Sequence, residues 1–130
     1  VGCHATVRQI EDVTVVDISG RLTLAESDGL RAILLGELRN GRKQILLNLR
    51  DVTYFDSAGL GELLGCYTAI ARAGGALKLL CAPKKLHDTL QVTRLDTLFE
   101  FFSDEADAVR NFGIAAPKRS SKLRDHFRNR

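Results

Sequence analysis

Two different periodicities succeed one another between Ile45 and Ile70, and that change constrains the fold more than any other feature of the chain. Ile45-Leu46-Leu47-Asn48-Leu49 is a short apolar strand. Beyond a polar connection, Leu60, Leu63, Leu64, Tyr67 and Ile70 recur at spacings of three and four, which sets them on one face of a helix. A strand that feeds an amphipathic helix is half of a β-α-β unit, so a parallel neighbour is the economical continuation.

The flanking sequence repeats the theme. Ala5 to Ile10 alternates loosely, and Val13-Thr14-Val15-Val16-Asp17-Ile18 is rich in β-branched residues. Glu11-Asp12 between them reads as a tight hairpin turn, though not of the favoured Asn-Gly type. Gly20 is expected to end the second strand. A helix starting at Ala25 turns Leu30, Ile33, Leu34 and Leu38 to the core and stops at Asn40-Gly41. Gly74-Gly75 closes the next helix, and Ala76-Leu77-Lys78-Leu79-Leu80-Cys81 reads as a buried strand. Pro83 suits the first turn of a helix that runs through Val92. Leu98 to Phe102 gives a last strand, and Asp104 to Phe112 a last helix capped by Ser103 or Asp104. The order β-β-α-β-α-β-α-β-α predicts an α/β sandwich: a mixed, mostly parallel sheet of four to five strands with four helices and right-handed crossovers.

At 130 residues the chain is expected to hold one domain, residues 1–112, large enough to bury a core without disulfides or metal. Residues 113–130 carry Lys118, Arg119, Lys122, Arg124, Arg128 and Arg130 against Asp125, which is +5; the other residues, with 13 basic and 15 acidic, come to −2. The segment reads as a basic, disordered tail. In the body, basic residues are dispersed among acids, so no nucleic-acid footprint is expected. No run approaches the roughly 18 apolar residues of a membrane span. The start, Val1-Gly2-Cys3-His4, shows neither part of a secretory signal and lacks an initiator methionine, which reads as a trimmed end. Cys3, Cys66 and Cys81 are odd in number and scattered, as for free thiols in a reducing compartment; the cytoplasm is the expected location.

The candidate site is Asp56-Ser57-Ala58-Gly59-Leu60-Gly61 at the start of the central helix. Ser57 falls at or next to the N-cap, where its hydroxyl can accept from an open backbone N–H. Ala58 and Gly59 leave the first turn sterically bare. A phosphate on Ser57 would meet unpaired N–H groups and the positive helix end, and it would stand beside Asp56, a like charge. Placement at the carboxyl end of a strand is where α/β sheets gather function. Catalysis is not expected. The spacing Gly59-x-Gly61-x-x-x-Gly65 is one residue too long for a dinucleotide loop. Phe55 stands where a nucleophile elbow needs glycine. His4, His87 and His126 have no metal-ligand spacing, and His87 reads as a surface residue. A phospho-aspartate receiver would need an acidic Mg²⁺ cluster after the first strand, whereas Glu11-Asp12 lies in a hairpin.

At Asp56-Ser57-Ala58-Gly59-Leu60-Gly61 the chain resembles the STAS domain family, specifically the bacterial anti-sigma factor antagonists. Ile18-Ser19-Gly20-Arg21-Leu22, the strand at 45–49, Gly74-Gly75 before Leu79-Leu80, and Thr93-Arg94-Leu95-Asp96-Thr97-Leu98-Phe99 carry the likeness over residues 5–112. The resemblance implies a partner switch. Ser57 would be the phosphoacceptor of an anti-sigma factor that is also a serine kinase; the unphosphorylated chain binds that kinase and frees the sigma factor, phosphorylation breaks the complex, and a serine phosphatase resets it. Asp56, Ala58, Gly59, Leu60 and Gly61 would shape the docking surface. ATP and Mg²⁺ would belong to the kinase, so the chain itself is expected to hold no cofactor or metal, and to be a monomer or weak homodimer. Thr23, in Gly20-Arg21-Leu22-Thr23, stands where the family commonly has an acidic residue, which bears on partner choice. Alternatives within the family are a scaffold component of a stress-sensing assembly and an accessory subunit of a transporter.

Overall fold

Between Ile10 and Val13 the chain reverses in two residues, with Glu11 at φ 54. A positive φ at the first central position is what tight hairpin turns demand. The hairpin joins β1 (Cys3–Ile10) to β2 (Val13–Leu22), and the chain continues through α1 (Asp28–Arg39), β3 (Gln44–Phe55), α2 (Ser57–Arg72), β4 (Ala76–Leu80) and α3 (Lys84–Val92). A 3₁₀ turn (Leu95–Thr97), β5 (Phe101–Phe102) and a helix across 105–113, here α4, complete it. The structure, a computed structural model, describes residues 3–23 and 28–113. The expected helix start at Ala25 and nearly all of the basic tail lie outside the described residues.

The five strands run in the order β1-β2-β3-β4-β5, antiparallel between β1 and β2 and parallel at the other three pairings. Alternation along the strands sorts the core into two faces. On one, Val16, Ile18, Ile45, Leu47, Leu77 and Leu79 meet Leu30 and Leu34 of α1, Leu63 and Ile70 of α2, and Leu86 and Leu90 of α3. On the other, Val13, Val15, Leu46, Ala76 and Leu80 meet Ala108 and Phe112 of α4. Each valine, leucine, isoleucine or phenylalanine among them contributes about 1.5–3 kcal/mol on burial.

Lys78 sits wholly buried in that second face. Its Nζ lies 3.1 Å from Glu100 Oε1, donates to Asn111 Oδ1, and stands 4.5 Å from the centre of the Phe112 ring. The aliphatic stem packs as a hydrophobe would, while the charge ties α4 to the sheet.

Several boundaries differ from the sequence reading. β2 continues past Gly20 to Leu22, and β3 has 12 residues instead of five, so the expected polar connection before Ser57 is strand. Pro83 is the N-cap of α3, one place before the helix. The strand expected at 98–102 shortens to Phe101–Phe102, because Leu98 and Phe99 turn into the core after the 3₁₀ turn. Asp104, not Ser103, caps α4: its Oδ2 accepts from the Asp107 N–H at 3.0 Å.

Candidate functional site

β2 and β3 finish together, with Leu22 opposite Phe55, and twice on the way β3 spends an extra residue against β2. Such register shifts bend and twist a strand and re-aim the residues beyond it. The strand hands over to Asp56, extended at φ −129, ψ −178, and then to α2.

Ser57 falls next to the N-cap, and the expectation that its own hydroxyl supplies the capping bond is corrected by this geometry. Asp56 is the N-cap, and its Oδ1 accepts from the Gly59 N–H at 2.8 Å. Ser57 is the first helical residue, exposed, with its hydroxyl outside the cap. A carboxylate does the capping better placed than a hydroxyl one residue on, because only the N-cap side chain reaches back over the first turn. The N–H groups at this end of a 16-residue helix have no carbonyl partner within it. Ser57 Oγ therefore stands at the positive end of the helix dipole.

Gly59 is buried, and its part in the surface is also revised. A Cβ there would overlap the Leu22 carbonyl oxygen and stand 3.3 Å from the Thr23 nitrogen. The bare first turn is thus used inside the molecule, to let the end of β2 cross α2 at contact distance. Asp56 adds a backbone bond to the Leu22 carbonyl at 3.4 Å. This crossing brings Thr23, 8% exposed, to the Asp56-Ser57 turn from a distant part of the sequence. Ala58 and Leu60 are half-buried, and Gly61 is exposed with open space where a side chain would go. Asp56, Ser57, Ala58, Gly59, Leu60, Gly61 and Thr23 therefore share one corner of the molecule.

Two neighbours of that corner went unnoticed in the sequence. The Arg21 guanidinium lies 4.3 Å over the ring of Tyr54, which is 44% exposed for so large an aromatic. The signal was an aromatic residue next to the motif, unexplained by the core pattern. Beyond Gly61, an open trough of about 510 Å³ runs between α1 and α2 past Leu64, Gly65, Thr68 and Ala69, with Arg31 and Arg72 at its sides.

Inside α2, Leu60 and Leu64 lie at the margin of the core rather than within it, and Cys66 joins Leu63, Tyr67 and Ile70 there. Burial pushes the Cys66 thiol up to about 11, with the nearby Glu62 carboxylate adding to the effect. Glu62 Oε1 stands 3.5 Å from an Arg31 nitrogen. His87, read as a surface residue, is half-buried with its ring edge-on to Phe101 at 4.3 Å. Among the described residues no helix is long and apolar enough to cross a membrane.

The corner thus presents an exposed serine at the start of a capped helix in an α/β domain. The sequence matches the STAS domain family over residues 4–108. The chain belongs to that family. It is 28% identical over 107 residues to the anti-sigma-B factor antagonist of Bacillus subtilis, covering 82% of this chain and 97% of that protein. An anti-sigma factor antagonist from Mycobacterium paratuberculosis superposes with a TM-score of 0.75 at 18% identity, over 85% of this chain and 94% of that one. SpoIIAA, an anti-sigma factor antagonist of Bacillus, matches in its unphosphorylated form (TM-score 0.65, 19% identity, 83% of this chain and 96% of that one). Its phosphorylated form matches with a TM-score of 0.68 at 18% identity, over 83% of this chain and 98% of that one.

Proposed function

We propose that the chain is an anti-sigma factor antagonist, a binding protein of the cytoplasm rather than an enzyme. Its unphosphorylated form binds an anti-sigma factor serine kinase and frees the sigma factor; phosphorylation of Ser57 switches that binding off, and a serine phosphatase restores it. The observation that carries this reading is the division of labour at α2. Asp56 holds the cap, and Ser57 is exposed beside it, its hydroxyl making no hydrogen bond among the described residues.

Electrostatics makes such a switch effective. A phosphoserine adds about −1.5 to −2 charges at pH 7. Pressed into an interface next to Asp56, that charge costs several kcal/mol unless the partner supplies cations. Helix N–H groups can hold the phosphate without refolding the body. The family resemblance implies an acid where this chain has Thr23, so the partner kinase should differ in what it presents at that corner.

The test uses the anti-sigma-type serine kinases of the source genome. One of them, with Mg-ATP, should place a single phosphate on the chain, found by mass spectrometry at Ser57 and not at Thr53. Ser57→Ala should abolish transfer and still bind that kinase, while Ser57→Asp should weaken binding at least tenfold. Equal binding of Ser57→Asp and the parent would sink the proposal.

A further inference from the structure

β3 outlasts its neighbour on one side. β4 ends at Leu80 opposite Asn48, so among the described residues β3 has no strand partner on that side from Leu49 to Phe55. The reason is local. Cys81 adopts φ 55 and its N–H bonds the Phe102 carbonyl at 2.8 Å, which carries the chain toward β5 and away from β3. Arg50 and Thr53 turn their own bonds elsewhere: the Arg50 N–H to Asn48 Oδ1, and the Thr53 hydroxyl to the Gly20 carbonyl on the β2 side. A notch results, lined by Val52 to Phe55 on one wall and by Pro83 and Lys85 on the other, with a cavity of about 80 Å³. That is well below the roughly 300–1,000 Å³ of small-molecule pockets. It suits a side chain or two of another polypeptide.

We propose that this notch receives an extended, acidic segment of the partner kinase, laid alongside β3 as an added strand. The inference rests on the reading of Ser57 as phosphoacceptor. A kinase that reaches Ser57 must cover the end of β3, because Ser57 lies two residues beyond Phe55 at the same corner. An open strand edge offers backbone donors and acceptors to such a segment, and the cavity between Tyr54 and Pro83 selects its side chain. Lys85 is exposed at the rim, so an acidic residue in the segment is favoured, whereas the neighbouring Lys84 is already paired with Asp88 at 2.9 Å. The competing role of Pro83 and Lys85 is to blunt the edge against any pairing at all.

Hydrogen exchange decides between them, using the kinase that phosphorylates Ser57, loaded with Mg-ADP so that no transfer occurs. In the complex, amides within 50–55 should exchange at least tenfold more slowly, and Lys85→Glu should bind at least tenfold more weakly with an unchanged melting temperature. If the kinase protects the start of α2 while 50–55 exchange as in the free chain, the notch is only a blunted edge and the inference falls alone. Parent-like binding of Lys85→Glu also overturns it. Protection of 50–55 that grows with concentration of the chain by itself would assign the notch to a second copy instead. If no kinase binds or transfers phosphate to Ser57, this inference falls together with the proposed function.

Discussion

Asp56 holds the cap that the sequence reading assigns to the Ser57 hydroxyl, and substitutions at the two positions should behave differently for that reason. Asp56→Ala deletes the acceptor for the Gly59 N–H and should cost about 0.5–2 kcal/mol. Ser57→Ala removes a hydroxyl outside the cap and should fall within about 0.5 kcal/mol of the parent, as surface changes do. Urea denaturation of both variants measures the contrast; equal losses would return the cap to Ser57. The glycines of the motif divide in the same way. Gly59→Ala drives a methyl into the Leu22 carbonyl, a backbone atom that cannot swing aside. It should destabilise by about 1–3 kcal/mol or more, the cost of overpacking. Gly61→Ala meets open space and gains helix propensity, so it should be neutral or stabilising by up to about 1 kcal/mol. Thermal melts of the two variants check the ordering, and a harmless Gly59→Ala would mean that β2 does not cross α2 so closely.

Element by element, the order of strands and helices was legible because short apolar runs alternate with segments of 3.6-residue periodicity. The length of β3 was not. Arg50-Asp51 and Thr53-Tyr54 look like loop because a strand edge left open on one side tolerates polar residues as a loop does. Nor could spacing reveal that Gly59 faces inward, since its reason is Leu22, on another element. Ser57 and its motif were found from local pattern, whereas Arg21 and Tyr54 needed the register of β2 against β3 to bring them together. Within α2, Cys66 took a core place that a Leu-and-aromatic count overlooks, and this has a measurable consequence. Its thiol is held neutral by burial, so between pH 9 and its folded value of about 11 the unfolded chain loses a proton that the native one keeps. The stability this thiol contributes is present below about pH 9, the ordinary range for cysteine, and is lost as pH rises through about 11. Denaturation midpoints should drop over that interval. Cys66→Ala, weaker at pH 7 from the lost packing, should show a flatter decline; an equally steep one would place the alkaline loss elsewhere.

At the scale of the molecule, the proposed switch should act on the face of the domain and leave its interior alone. The two core faces are built from β-strands and four helices whose contacts do not pass through the Ser57 side chain. The matched structures of SpoIIAA share this fold in both the unphosphorylated and the phosphorylated form. A carboxylate at position 57 would gain about 0.3–1 kcal/mol from the helix dipole and lose a similar amount to the Coulomb repulsion of the Asp56 charge nearby. Ser57→Asp should therefore shift the melting temperature by less than about 4 °C, the equivalent of roughly 1 kcal/mol for a domain of this size. Its hydrogen-exchange pattern should match the parent everywhere except the first turn of α2. The same protein should bind the kinase at least tenfold more weakly, a difference that then belongs to the interface alone. A melting temperature lowered by about 10 °C or more, several times that expected shift, or new exchange in β4 or α4, would instead mean that charge at Ser57 acts by loosening the fold. Partner release would then be a consequence of unfolding rather than of repulsion at a rigid surface.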